Sequence, residues 1–419
     1  MKKIIIHKTV IFLLIFAGIF CCLNSCKKTT ELVGIEINDT RLHIVWSKSF
    51  YTDSIAAMIL TPIVANGYVA FVGYPYASHV DNRMVIFNKT NGEYHPALKG
   101  GTKIDDYPYP PEDFLIGGNN KDVIFYSTRE SLNAFNIISG QYLWKYVYEK
   151  PYFSDISGHP SILGADIIIP YFKYNPNSSI YNVNRYNSAT GQKTNLFSFD
   201  NRIYTVEYIE NEYHDTLLFF SDGWKNSYCY NLTKDSVIWK HTIASDELNL
   251  TNSFYPIVVE NKYVLFQYRY EVYCMDFFTG KQIWNNYVGT IDYSPILYHD
   301  GKVIVRPNEG NVSCFDVRNG DLLWKNTDVN TFLDNSRKYG KMDVYKGNLY
   351  LTTSNGIHNH IYSDSYKSSL CCLSLTTGLL NWTEKNITGG VAIDQQTGYL
   401  YCQNGISVIC VDLNKTPIK

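Results

Sequence analysis

The sequence predicts an all-β chain: an eight-bladed β-propeller of four-stranded antiparallel blades, closed by pairing the N-terminal strand with the C-terminal blade. Three observations predict it. A short phrase recurs along the 419 residues, clearest as Cys274-Met-Asp276-Phe-Phe-Thr279-Gly280-Lys-Gln-Ile-Trp284 and Cys314-Phe-Asp316-Val-Arg-Asn319-Gly320-Asp-Leu-Leu-Trp324. A hairpin of two apolar runs around a polar turn precedes each copy. The one phrase that is missing is divided between the two ends of the chain. Internal repetition of this kind fixes architecture before any single residue does, because no single blade buries its own faces.

Taking the glycine as position zero, a tryptophan lies four residues on at Gly140/Trp144, Gly280/Trp284, Gly320/Trp324 and Gly378/Trp382. A fifth copy has Asp235 in place of glycine and keeps Trp239; the copies at Gly92 and Gly191 keep the turn and lose the tryptophan. Position minus four is Asn88, Asn136, Asn187, Asn231, Asp276, Asp316 or Ser374, whose side chains accept hydrogen bonds from turn amides just ahead. Glycine supplies the positive φ of a tight hairpin or bulge. Position minus six is usually small (Ala134, Cys229, Cys274, Cys314, Cys372), which lets sheets approach, and the tryptophan fills the gap between blades.

The hairpins count the same units independently. They turn at Asn66-Gly67, Asn119-Asn120, Gly164-Ala165, Asn211-Glu212, Asn261-Lys262, Asp300-Gly301, Lys346-Gly347 and Gln396-Thr397-Gly398, with apolar and polar residues alternating on either side. That is eight hairpins against seven phrases. Ser407-Val-Ile-Cys410-Val-Asp412 reads as a third strand without a fourth, and Leu42-His-Ile-Val-Trp46-Ser as a fourth strand without a third. Joining them closes the ring and removes the open edges of a linear array. The expected division is 1–25 signal peptide, 26–34 tether and 35–419 a single propeller domain.

The pattern Ala/Cys-x-Asp-x-x-Thr-Gly-x-x-x-Trp resembles the repeat of the PQQ-like propeller proteins. This superfamily includes quinoprotein alcohol dehydrogenases and the non-enzymatic propeller lipoprotein of the outer-membrane barrel-assembly machinery. The resemblance covers almost the whole mature chain and is specific for fold rather than function. A quinone-dependent member would need a calcium ion, a catalytic carboxylate, a stacking aromatic and basic contacts to the quinone. None can be assigned here, so no cofactor, metal site or catalytic residue is expected.

Lys2 and Lys3 precede an apolar run from Thr9 to Leu23, too short for a bilayer-spanning helix of about 20 residues. The following Leu23-Asn24-Ser25-Cys26 resembles a bacterial lipobox, which implies lipidation of Cys26 and an exported lipoprotein at the outer membrane. The absence of an acidic cluster after Cys26 favours a periplasm-facing position; surface exposure stays open as the alternative. From residue 26 the chain carries 34 basic and 39 acidic side chains, a formal charge of −5, and no basic stripe suited to nucleic acid. Of the seven cysteines beyond Cys26, five occupy the small-residue position (Cys410 included), too far apart in successive blades to bridge. They read as buried small apolar residues, and Cys371-Cys372 as neighbours on opposite strand faces rather than a disulfide.

Strand order places the first–second and third–fourth turns at one end of the ring, and the longer second–third and blade-to-blade loops at the other. Long loops on a rigid frame are the usual place for recognition. The candidate partner-face residues there are Tyr74, Tyr76, His79, Tyr109, His159, Tyr174, His358 and His360; Tyr148 and Tyr171 are further loop tyrosines, read either as packing or as recognition. The expected function is a membrane-tethered, non-enzymatic scaffold or recognition module in the cell envelope. Its expected partner is an envelope protein, with outer-membrane protein assembly as the link the resemblance implies. The alternatives are a glycan-binding lipoprotein for polysaccharide uptake and, last, a PQQ-dependent dehydrogenase.

Overall fold

A computed structural model describes residues 41–49, 57–58, 61–74, 82–98, 102–105, 114–119, 121–127, 131–148, 160–173, 180–199, 203, 206–211, 213–222, 226–242, 256–268, 270–289, 296–307, 311–329, 342–353, 369–404 and 407–417. Among these residues the structure is all-β: eight antiparallel four-stranded blades arranged as a propeller. Blades 1 to 7 lie within 57–105, 114–147, 161–199, 206–242, 257–287, 297–326 and 343–385. In blade 1 the first strand is interrupted, so that Ala57–Met58 and Ile63–Ala65 both pair with Tyr68–Tyr74.

Blade 8 is the composite that the chain ends predict. Ile387–Asp394, Tyr399–Asn404 and Ser407–Asp412 are joined by Ile44–Ser49, with Trp46 opposite Cys410 and Ser49 opposite Ser407. The divided phrase even keeps its turn. Asp412 Oδ1 accepts from Asn414 N (3.0 Å), and Thr416 N donates to Asp412 O (3.0 Å), as Gly280 N does to Asp276 O (2.9 Å). Thr416 thus stands where the other blades have glycine or, in blade 4, Asp235, and its Oγ1 accepts from His43 N across the break (3.1 Å).

The inner strands are buried on both faces and so read as unbroken apolar runs, such as Val303-Ile304-Val305, while outer strands such as Leu322–Asn326 alternate. The core is accordingly a set of layers between neighbouring blades. Leu265, Cys274 and Trp284 of blade 5, for example, meet Val303, Val305 and Phe315 of blade 6.

One latch explains the repeat. Among the described residues each tryptophan lies across the strand pair from the small residue of its own blade: Trp144 opposite Ala134, Trp239 opposite Cys229, Trp284 opposite Cys274, Trp324 opposite Cys314, Trp382 opposite Cys372 and Trp46 opposite Cys410. A β-bulge just before it tips the indole toward the next blade. There the indole covers the turn glycine. A Cβ at Gly320 would stand 2.7 Å from Trp284, at Gly378 2.4 Å from Trp324, at Gly280 2.4 Å from Trp239, at Gly191 2.7 Å from Trp144 and at Gly92 2.5 Å from Trp46. In Trp46, Trp144, Trp239, Trp284 and Trp324 the indole N–H then donates to a carbonyl of that same turn, Trp284 to Val317 O at 2.8 Å and Trp324 to Leu375 O at 3.0 Å, whereas buried Trp382 Nε1 has no hydrogen-bond partner among the described residues. Glycine is therefore required for space as well as for φ, and the small residue serves its own blade's tryptophan.

Candidate functional site

The short-turn end is built as the phrase implies. Asp276 Oδ1 accepts from Phe278 N (3.1 Å) and Thr279 N (2.8 Å), and Asn88, Asn136, Asn187, Asn231, Asp316 and Ser374 make the corresponding bonds. These side chains are spent on holding turns.

At the opposite, long-loop end the described strand termini carry a collar of buried polar residues. Equivalent positions at the end of the second strand hold Ser221, Gln267, Arg306, Thr352 and Gln403, all buried, with Ser127 half-buried. The collar links blades. Arg306 Nη1 donates to Thr352 O in blade 7, and Thr352 Oγ1 donates to Gly389 O in blade 8. Burial pushes the Arg306 guanidinium down to about 10. The collar is not fully satisfied: Ser221 Oγ and Gln267 Nε2 are buried with no hydrogen-bond partner among the described residues, a cost that an apolar side chain would not carry. Reading the sequence by the glycine-centred phrase missed this collar, because it lies on the second strand. The signal is polar residues where Val-Ile-Val runs end, as at Val303-Ile-Val-Arg306.

On the innermost strands, Glu207 of blade 4 hydrogen-bonds Ser161 of blade 3. Burial pushes the Glu207 carboxyl up to about 7, and the bond to Ser161 opposes that rise.

Of the candidate partner-face residues, Tyr74 ends a strand opposite Ala57. Its side chain lies outside the described residues, as do Tyr76, His79, Tyr109, His159, Tyr174, His358, His360 and the lipobox Cys26. Tyr148 and Tyr171 are buried with ring centroids 6.3 Å apart, which makes them packing residues rather than recognition residues. Among the described residues no three His, Cys, Asp or Glu side chains gather to hold a metal ion, and no helix is long and apolar enough to cross a membrane. Cys229, Cys274, Cys314, Cys371, Cys372, Cys402 and Cys410 are free and buried. Burial pushes the Cys229, Cys314 and Cys410 thiols up to about 12, which leaves them unreactive near neutral pH.

Comparison with known proteins follows the same outline. Residues 225–385 match the family described as "Outer membrane protein assembly factor BamB". A tetrathionate hydrolase from Acidithiobacillus ferrooxidans is 22% identical over 344 residues, covering 71% of this chain and 64% of the hydrolase, so the chain spans somewhat less than two thirds of that relative. The crystal structure of BamB from Moraxella catarrhalis is similar at a TM-score of 0.55 and 13% identity, over 89% of this chain and 100% of that one. The quinohemoprotein alcohol dehydrogenase ADHIIG from Pseudomonas putida HK5 is similar at 0.56 and 11%, over 90% of this chain and 77% of that one. At these identities the structural likeness concerns fold, and fold does not fix activity. Phrase, ring and comparisons agree: the chain is an eight-bladed β-propeller whose repeat is similar to that of the PQQ-like proteins.

Proposed function

We propose that the chain is a lipid-tethered, non-enzymatic propeller of the cell envelope that binds a protein partner through its long-loop end, at the periplasmic face of the outer membrane. The observation that carries this reading is the match of residues 225–385 to the BamB family, within a ring whose blades are fixed to one another by tryptophan latches. A stiff ring holds loops from eight blades in constant relative positions, which lowers the ordering cost of binding. The lipid on Cys26 keeps that surface near its membrane partner; several acyl chains on one cysteine anchor firmly where one alone does not.

Affinity purification of the tagged full chain from solubilised envelopes tests the proposal. A stable outer-membrane barrel or barrel-assembly protein is expected to accompany it, and substitutions in the loop candidates Tyr76, Tyr109 and Tyr174 are expected to release that protein. Loss of the partner only on substituting the short-turn end would refute the assignment of the face.

The likeness to tetrathionate hydrolase favours a second reading, hydrolysis of an inorganic sulfur compound. Incubating the purified chain with tetrathionate and following sulfate and thiosulfate release decides between the two. Turnover would replace the scaffold reading.

A further inference from the structure

Exposed apolar side chains stand at the short-turn end, as they also do at the far ends of outer strands, where Val147 is 60% and Tyr287 74% exposed. Turn tips in four blades spread round the ring are apolar: Ile138 (51% exposed) in blade 2, Tyr213 (75%) in blade 4, Phe278 (40%) in blade 5 and Leu379 (65%) in blade 7. Beside them on the rim of blade 6 stand Leu322 and Leu323 at the start of the outer strand. None of these side chains serves the latch or the Asx turn. Polar residues would hold the same hairpins equally well, as Thr90 and Arg318 do at other tips.

The described chain also joins the ring at this end. Residues 41–43 run into Ile44–Ser49 beside the Asp412–Thr416 turn, through His43 N to Thr416 Oγ1 and Asp412 N to His43 O (2.8 Å). Only 15 residues separate Cys26 from Leu42, a reach of roughly 50 Å when fully extended. From these two observations we infer that the short-turn end is a membrane-resting face, whose apolar tips enter the interfacial layer of a phospholipid leaflet. This inference rests on the proposed lipidation of Cys26. The tether sets the distance and the tips set the orientation, which turns the long-loop end toward the periplasmic part of a membrane-bound partner. Cationic side chains at the same end (Lys234, Lys281, Arg318, Lys346) alternate with acidic ones (Glu260, Asp300, Asp321), so apolar insertion rather than headgroup charge selects the face.

The test uses the full chain on vesicles of equal parts phosphatidylethanolamine and phosphatidylglycerol. A bimane label is placed by Leu379→Cys or Phe278→Cys at the tips, or by Tyr287→Cys at the opposite end of an outer strand, and is read against spin-labelled lipid. Quenching at the two tips and none at Tyr287 is expected, together with about a tenfold fall in vesicle binding of the unanchored Cys26→Ser chain on adding Phe278→Asp and Leu379→Asp. Equal quenching at all three positions, stronger quenching at Tyr287, or no quenching anywhere overturns the inference. Mass analysis of the N-terminal peptide from the same sample reports acylation of Cys26 separately. Acylated chain with Tyr287 quenched leaves the anchor standing and removes the face; unacylated chain with quenched tips does the reverse.

Discussion

The seam between blades 5 and 6 and the seam between blades 3 and 4 solve the same packing problem differently. At the first, Trp284 lies opposite Cys274, covers Gly320 and donates to Val317 O. At the second all three parts are missing together. Arg185 stands at the small position, Asn195 at the tryptophan position, and Asp235 (φ 52°) at the glycine of the receiving blade. The bulge that tips the indole is displaced too, falling between Val183 and Asn184. In the latch's place, Phe197 and Phe199 pack into Phe220, Tyr228 and Tyr230, with Phe197 stacked on Tyr230 at 4.6 Å. Buried Asn184 has no hydrogen-bond partner for either side-chain polar atom, and this seam holds the Glu207–Ser161 contact. The loss of tryptophan releases both its neighbours at once: the partner beneath need not be small, and the turn above need not be glycine. The seam between blades 1 and 2 keeps the latch with a different side chain. His95 covers Gly140, accepts from Ala97 N at Nδ1 (3.2 Å) and donates through Nε2 to Ile138 O (2.9 Å).

Four measurements break or sharpen this contrast. Trp284→Ala is expected to cost the most, about 3–5 kcal/mol, as a large buried ring and its hydrogen bond are lost; a denaturant midpoint followed by near-ultraviolet dichroism reads it. Gly320→Ala follows at about 2–4 kcal/mol, combining strain at φ 76° with a Cβ 2.7 Å from the indole, and the thermal midpoint falls accordingly. The third concerns pH. Glu207 has its carboxyl raised to about 7 when folded, so the native state binds more protons than the unfolded chain once pH exceeds about 4.3. Its contribution is full below that pH and is lost as pH rises through about 7. Partial exposure to solvent limits the loss to about 1–2 kcal/mol, and Glu207→Gln is expected to remove the slope. Smallest is Asp235→Gly, expected within about 1 kcal/mol of wild type, since no indole presses on that turn. A large gain in stability there would show that backbone conformation rather than space selects glycine, and no loss at Gly320 would refute both causes.

Much of this was legible beforehand. Spacing alone revealed the blade count, the Asx turns and the closure of Trp46 on Cys410, because a turn repeated seven times betrays the place where an eighth is cut. The pairing of tryptophan with the glycine of the following blade was not legible. Trp284 and Gly320 are 36 residues apart, and a phrase centred on one turn shows only its own blade. His95 escaped for a simpler reason: it stands three residues after Gly92, not four. Tyr148 and Tyr171 looked like loop residues by position, yet they close the aromatic layer between blades 2 and 3. The polar collar around Arg306 hid among apolar runs that the eye reads as featureless strand.

Composite blade 8 has a consequence for biogenesis. The segment Ile44–Ser49 is among the first parts of the domain to be synthesised, yet its hydrogen-bonding partner Ser407–Asp412 is among the last. The Lys89 carbonyl, which accepts from both Trp46 Nε1 (3.1 Å) and Tyr401 OH (3.0 Å), likewise waits for residues from opposite termini. A chain released before Ser407–Asp412 is made would therefore yield no smaller propeller. It would leave an unsealed arc with adhesive β-edges, a substrate for proteases instead of a working part.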